Sequence, residues 1–119
     1  MHDVEYHLEG QDGDILVVHV PAHLDHSTAD ELTASVLHAL PRRDGAGVVL
    51  DFSDVALVTS IGIAAMLQIR EACADQSAAL LLAGVPEQQM RFFEMLHLNS
   101  KFTCVPTVAD AIFQLDGPA

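Results

Sequence analysis

The chain has 119 residues, a length that fits one compact domain. Hydrophobic residues make up 50% and charged residues 18%, which supplies a core and excludes a largely disordered chain. The formal net charge of -12, from 17 acidic and 5 basic residues, argues against binding to nucleic acid or an anionic membrane, because both require Lys and Arg. A cationic or mixed-charge protein partner fits this charge better, and an acidic surface that only keeps the protein soluble fits it equally well.

The cysteines and the N-terminal segment indicate a cytoplasmic protein. Cys73 and Cys104 form no C-x-x-C pair, so both are interpreted as small core residues rather than as a redox or zinc site. The N-terminal segment lacks the basic and apolar regions of a signal peptide, and no apolar run approaches the ~20 residues of a membrane helix. We therefore expect neither export nor membrane insertion.

Short apolar runs predict five strands. The run "DILVVHV" is β-branched and closed by Pro21, whereas "GVVLDF" and "AALLLAG" are continuous apolar runs that suit strands covered on both faces. The first strand, "VEYHLEG", and the last, "FTCV", are weaker signals. In chain order the predicted strands are 4–10, 14–20, 47–52, 78–84 and 102–105.

Four segments between or after these strands have the 3–4 spacing of amphipathic helices, at 27–40, 60–73, 86–98 and 107–115. Ser27 or Thr28 is expected to cap the first helix, Pro41 and Gly45 to end it, and Pro86 to occupy a first-turn position of the third. The order β-β-α-β-α-β-α-β-α, without linker or repeat, predicts a single α/β domain over residues 1–119 with a largely parallel sheet.

A metal site is not expected. His19, His23 and His26 are the closest set among seven histidines, but Pro21 interrupts the segment and Asp25 is the sole nearby carboxylate. Scattered surface histidines are the better interpretation.

Catalysis is not expected either, and no cofactor is predicted. Asp51 could accept a phosphoryl group as in response receivers, yet the preceding strand does not end in the acidic pair which that chemistry needs. The chain has no phosphate-binding glycine loop and no G-x-S-x-G turn, and no motif marks a His and a carboxylate as partners of a nucleophilic Ser60. A nucleotide-binding or hydrolytic domain is therefore disfavoured.

The segment "VVLDFSDVALVTSIGIAAML" places Thr59 and Ser60 where a strand and turn give way to a helix. A rigid α/β scaffold presents functional residues at such positions. One interpretation is structural, with Ser60 as an N-cap worth ~1 kcal/mol. The other is functional, with an exposed hydroxyl on a docking surface.

Three segments together resemble the STAS-domain family, and within it the bacterial anti-sigma factor antagonists. "HLDHSTADEL" is similar to the family's G-x-L-D-x-x-T-A-x-x-L start of the first helix, and "DFSDVALVTSIGIAAML" to its D-[LF]-S-x-V-x-[FY]-[ML]-D-S-[ST]-G-[LI]-x-x-L signature. "LLLAGVPEQQMRFFEMLHLNSKF" is similar to the later strand and helix. The resemblance implies one STAS-like domain, core about 14–115, with a mixed, mostly parallel sheet of about five strands and about four helices.

The resemblance also implies a function, that of a partner-switching regulator of transcription. Family members bind an anti-sigma factor that is also a serine kinase and lose that binding when the signature serine, which maps to Ser60, is phosphorylated. In this chain Thr59 stands where the family signature has an Asp before the serine, and Ile61 stands where it has a Ser or Thr after the serine. Thr59 is therefore the alternative acceptor of the phosphoryl group. A phosphatase that resets Ser60 is a further implied partner. The implied partner-binding residues are Asp25, His26, Ser27, Thr59, Ser60, Ile61, Gly62 and Ile63.

A second function is left open by the same resemblance. STAS relatives also serve as accessory subunits of lipid-transport complexes and as components of stress-signalling scaffolds, and these often vary at the acceptor, as Thr59 and Ile61 do here.

Overall fold

A five-stranded mixed sheet forms the centre of the computed structural model, which describes residues 4–41 and 45–117. A separate small sheet pairs β3 (His23–Leu24) with β5 (Leu57–Val58) in parallel. In spatial order the strands of the main sheet are β1 (Tyr6–Glu9), β2 (Ile15–His19), β4 (Gly47–Asp51), β6 (Ala79–Ala83) and β7 (Thr103–Val105). β1 is antiparallel to β2 and all other pairs are parallel, which confirms the predicted fold class.

Four helices cover the sheet: α1 (Ala29–Ala39), α2 (Ser60–Asp75), α3 (Glu87–Met95) and α4 (Val108–Asp116). The predicted helices are confirmed with shifted ends. The first was predicted to begin at Ser27, but residues before Ala29 form a turn. The third ends early, before His97, whose φ of 59° is left-handed, and Pro86 is its N-cap residue rather than a first-turn residue. None of the helices within the described ranges has the length and apolarity needed to cross a bilayer.

The alternation of side chains along the strands builds two cores. On β2, Leu16 and Val18 pack with α1, α2 and α3, while Ile15 and Val17 pack with α4. All four are buried, as expected for a strand covered on both faces. Cys73 is also buried, as predicted, and burial raises the pKa of its thiol to about 11, so it stays protonated at neutral pH. Cys104 is half-buried.

The first turn of α2 lies directly against the backbone of β3. A Cβ atom at Gly62 would clash with the carbonyl oxygen of Leu24 and lie 2.9 Å from Leu24 Cγ. Backbone atoms cannot swing aside as a flexible side chain can. Glycine at position 62 is therefore required by the close approach of α2 to β3.

Gly62→Ala is expected to destabilise the protein by about 1–3 kcal/mol, the typical cost of overpacking, although alanine favours a helix. Urea unfolding followed by circular dichroism measures the difference. Ala64→Gly, on the exposed side of the same helix, is the control and should cost about 1 kcal/mol through helix propensity alone. A Gly62→Ala variant more stable than the wild type would show that β3 and α2 are not in close contact.

Candidate functional site

The parallel pairing of β3 with β5 brings the two sequence segments predicted to bind a partner to one place. Leu24 pairs with Val58, so the residues that follow each strand leave the same end of the small sheet. The carbonyl oxygen of Leu24 accepts a hydrogen bond from the Thr59 backbone N–H at 3.0 Å. We call the surface formed by residues 25–27 and 59–63 the β3–β5 face.

A tight turn at Asp25 forms one half of the β3–β5 face. Asp25 Oδ1 accepts hydrogen bonds from the Ser27 backbone N–H at 2.9 Å and from the Ser27 hydroxyl at 2.7 Å. The side-chain bond from Ser27, followed by the backbone bond, lowers the pKa of Asp25 below its ordinary value. The carboxylate is therefore negative at neutral pH and held in a defined position, with His26 and Ser27 exposed beside it.

Thr28 stabilises this turn rather than capping α1. It occupies the N-cap position, but its side chain does not accept a bond from the helix, which corrects the predicted capping role of Ser27 or Thr28. Its buried hydroxyl instead donates to the carbonyl oxygen of His23 at 2.7 Å and accepts from the Asp25 N–H at 3.1 Å. A hydroxyl that could have capped the helix closes the turn, because the chain must bend sharply between β3 and α1.

At the start of α2 the two hydroxyls have different roles. Thr59 is the N-cap residue: its Oγ1 accepts from the Gly62 N–H at 3.3 Å and donates to the Leu24 carbonyl oxygen at 3.4 Å. Ser60 is the first helical residue and is exposed, and its hydroxyl makes no hydrogen bond with any residue in the described part of the chain. The structural interpretation of Ser60 as the N-cap is therefore wrong, and the cap is Thr59.

Of the remaining predicted residues, Ile61 lies on the surface, and Gly62 and Ile63 are buried. Ile61 is 51% exposed, so its apolar side chain is accessible to a partner. Gly62 and Ile63 therefore hold the helix in place and cannot make side-chain contacts with a partner in this conformation.

A polar pair at the carboxyl ends of β2 and β4 was missed by the sequence reasoning. His19 Nδ1 lies 3.1 Å from Asp51 Oδ2, and Asp51 Oδ1 accepts bonds from the Ser53 N–H at 3.0 Å and its hydroxyl at 2.7 Å. The Asp51 carboxylate, considered above as a phosphoacceptor, therefore stabilises the turn that follows β4. No sequence motif marks the pair, because it depends on the register of β2 with β4, which sets His19 beside Asp51.

The histidines do not gather into a metal-binding cluster within residues 4–41 and 45–117. His23 and His26 are exposed, whereas the ring of His19 lies 5.6 Å from that of His7, which is bonded to Glu9 at 2.9 Å. The prediction of scattered surface histidines is therefore wrong for His7 and His19, which the pairing of β1 with β2 brings together.

Substitution at Thr59 and Ser60 should separate their roles. Thr59→Ala removes the N-cap acceptor and is expected to lower the free energy of unfolding by about 1 kcal/mol. Ser60→Ala, its matched control, should change it by less than about 0.5 kcal/mol because the Ser60 hydroxyl is exposed and bonds to none of the described residues. Chemical unfolding measures both, and an equal or larger loss for Ser60→Ala would return the capping role to Ser60.

Solved structures of other proteins share this fold. An anti-sigma-factor antagonist (STAS) domain protein from Planctomyces limnophilus superposes with a TM-score of 0.82 at 18% identity, covering 97% of this chain and 98% of that one. The phosphorylated form of the Bacillus cell fate determinant SpoIIAA gives 0.66 at 16% identity, covering 93% and 99%. A sulfate transporter family protein from Wolinella succinogenes gives 0.74 at 16% identity, covering 86% and 84%.

At these identities the structural likeness concerns the fold, and it includes both anti-sigma factor antagonists and a transporter-family protein. The sequence identifies the family independently of the structural comparison. The family model described as "STAS domain" matches residues 7–111, which include β3, β5 and the whole of the β3–β5 face. The chain therefore belongs to the STAS-domain family.

Proposed function

We propose that this protein is an anti-sigma factor antagonist that works by partner switching. In its unmodified form the β3–β5 face binds an anti-sigma factor with serine kinase activity, which frees a sigma factor for transcription. Phosphorylation of Ser60 by that kinase ends the binding, and a phosphatase restores it. The observation that carries the proposal is the exposed hydroxyl of Ser60 at the first residue of α2, which bonds to no residue within 4–41 and 45–117 and lies beside the exposed side chain of Ile61.

The geometry favours Ser60 over Thr59 as the acceptor. Thr59 is half-buried, and its hydroxyl is engaged with Leu24 and Gly62. A kinase would have to break the cap of α2 to reach it. The Ser60 oxygen is accessible and can attack the γ-phosphorus of ATP, forming the O–P bond as the bond to ADP breaks and its proton passes to a base of the kinase.

A phosphoryl group on Ser60 would change binding more than folding. It adds about −1.5 to −2 charge at neutral pH, and the N-terminus of a helix stabilises negative charge. The first turn of α2 contains no acidic residue that would repel it. A partner that packs on Ile61, by contrast, would have to strip water from the new dianion, so phosphorylation weakens the complex through desolvation and steric bulk.

In this proposal the protein itself is not an enzyme, requires no cofactor and acts in the cytoplasm through protein partners. Its charge of -12 supports a protein rather than a nucleic-acid target. The sigma factor, not this chain, would contact DNA.

The second candidate function is that of an accessory STAS subunit of a lipid-transport complex or a stress-signalling scaffold. The replacement of the signature Asp and Ser/Thr by Thr59 and Ile61 favours it, and the fold is shared with a sulfate transporter family protein. The proteins that co-purify with the native chain distinguish the two candidates. A kinase of the histidine-kinase-like ATPase type supports partner switching, and a transporter ATPase supports the accessory role.

Incubation of the protein with its co-purifying kinase and ATP is expected to add one phosphate, on Ser60. Intact-mass measurement and peptide mapping detect it. Ser60→Ala should accept none, whereas Thr59→Ala is the matched control and should still be modified because the acceptor hydroxyl remains. A phosphate on Thr59 in the wild type would move the acceptor by one residue, and no modification by the true partner would refute the switch.

Asp25 is expected to contribute its charge to partner binding. Asp25→Asn keeps an oxygen that can accept the Ser27 bonds but removes the charge, so it should lower the melting temperature at pH 7 less than Asp25→Ala does, while weakening partner affinity at least fivefold. Asp30→Asn, an exposed acid in the first turn of α1, is the control for the loss of one negative charge. Calorimetric titration against the kinase measures both, and equal effects of the two variants would rule out a specific role for Asp25.

The same residue links stability to pH. Because the pKa of Asp25 is lowered in the folded state, its contribution to stability is present above the pKa of the unfolded state, near 3.8, and is lost as the pH falls through the lower pKa of the folded state. Asp25→Ala, which removes the acceptor of the Ser27 bonds, should therefore lower the melting temperature at pH 7 more than at pH 3. An identical loss at both pH values would show that the charge does not stabilise the turn.

A further inference from the structure

Two histidines lie side by side where β1 pairs with β2. The ring centres of His7 and His19 are 5.6 Å apart, and the two rings are tilted by 32°. His7 belongs to the edge strand β1, and the side chains of His7 and His19 are 45% and 43% exposed. Both rings are therefore accessible to an ion in solution.

Each imidazole is held by a carboxylate through one of its two nitrogens. His19 Nδ1 lies 3.1 Å from Asp51 Oδ2, and His7 Nε2 lies 2.9 Å from Glu9 Oε2. A carboxylate accepts hydrogen bonds, so the nitrogen that faces it carries the proton, and the other nitrogen of a neutral ring keeps a lone pair. His19 Nε2 and His7 Nδ1 are therefore the nitrogens that a metal ion can bind.

The separation of the rings suits one metal ion between them. A tetrahedral Zn²⁺ binds imidazole nitrogens at ~2.0–2.1 Å, which places the centres of two ligating rings about 5–5.5 Å apart. The observed 5.6 Å requires only a small adjustment of two exposed side chains. A carboxylate on the second nitrogen is also the usual partner of a zinc-bound histidine, because it fixes the orientation of the ring and raises the basicity of the ligand.

Glu5 adds a carboxylate to the same side of the sheet. Its carbonyl oxygen accepts a hydrogen bond from the His19 backbone N–H at 2.9 Å, so Glu5 lies opposite His19, and the alternation of side chains along the strand places it on the side of His7. Glu5 and His19 also line a cavity of about 300 Å³, which has room for water molecules. With Glu9 and Asp51, three carboxylates surround the two rings, and their charge attracts a cation.

From this arrangement we propose that His7 and His19 form a surface binding site for one divalent transition-metal ion, with Zn²⁺ as its typical occupant. Imidazole nitrogen suits Zn²⁺, whereas Mg²⁺ and Ca²⁺ prefer oxygen ligands. No group of three ligands is assembled among residues 4–41 and 45–117, so the two imidazoles bind the ion, and water or the Glu5 carboxylate takes the remaining positions.

A metal ion at this site would join the edge strand to its neighbour through side chains as well as through the backbone ladder. β1 has a single neighbour in the sheet, β2, and pairs with it over four residues. Neither histidine belongs to the β3–β5 face. The inference is therefore independent of the proposed function, and it concerns a different part of the surface.

Calorimetric titration of the full chain with zinc chloride tests the inference. One Zn²⁺ is expected to bind at this site, and His7→Ala and His19→Ala should each weaken that binding at least tenfold. Glu9→Gln should weaken it at least threefold, because the carboxylate beside His7 is lost. His23→Ala, the matched control, removes an exposed histidine outside the pair and should change the affinity less than twofold.

Nuclear magnetic resonance of the histidine rings identifies the ligands in the unaltered chain, so the test does not depend on the folding of any variant. Zn²⁺ should shift the ring resonances of His7 and His19 and leave those of His38 and His97 in place. Shifts confined to other histidines, no one-to-one binding, or binding that survives both alanine substitutions would overturn the inference. Phosphorylation of Ser60 is measured separately, so the failure of either proposal leaves the other standing.

Discussion

The carbonyl oxygen of Leu24 is the point on which the β3–β5 face depends. It accepts bonds from the backbone and the hydroxyl of Thr59, and Gly62 packs against it so closely that no side chain fits between them. β3 and β5 are joined by only two residue pairs, so their own ladder is a weak support. The contacts around Leu24 tie this short sheet to α2, and they orient the first turn of that helix.

That orientation separates the residues of the first turn by role. Gly62 and Ile63 face inward and are buried, while Ser60 and Ile61 face solvent. Under the proposed function, a phosphoryl group on Ser60 would be accommodated without loss of packing and would act on the partner that covers Ile61. A helix turn that is packed on one side and exposed on the other allows a single phosphoryl group to change binding and leave the fold intact.

Electrostatics limits the kind of partner that this surface can accept. The carboxylate of Asp25 is held by Ser27 and stays charged, and the chain as a whole carries a net charge of -12. Partners with Lys or Arg are attracted and acidic partners are repelled, which affects the association rate as well as specificity.

The sequence by itself determined those features that arise from local periodicity. Continuous apolar runs identified β4 and β6 as strands buried on both faces, the 3–4 spacing identified four helices, and the segment around Ser60 indicated both the start of α2 and the family. The resemblance also selected residues 25–27 and 59–63 as one surface, and the structure places them at the same end of the small sheet.

Only the tertiary structure decided the features that depend on contacts between distant residues. β3 and β5 are two residues each, too short to show a period, and they exist because they pair with each other across 34 positions of chain. The same pairing makes Thr59 rather than Ser60 the N-cap residue of α2, because the Leu24 carbonyl oxygen holds the Thr59 backbone and hydroxyl in place. The bond from the Gln89 amide to the Ala56 carbonyl joins residues 33 positions apart, and the His19–Asp51 pair requires the register of β2 with β4. Secondary-structure propensity and hydrophobic periodicity depend on a few neighbouring residues. The arrangements described here depend instead on which surfaces the whole chain can bury together.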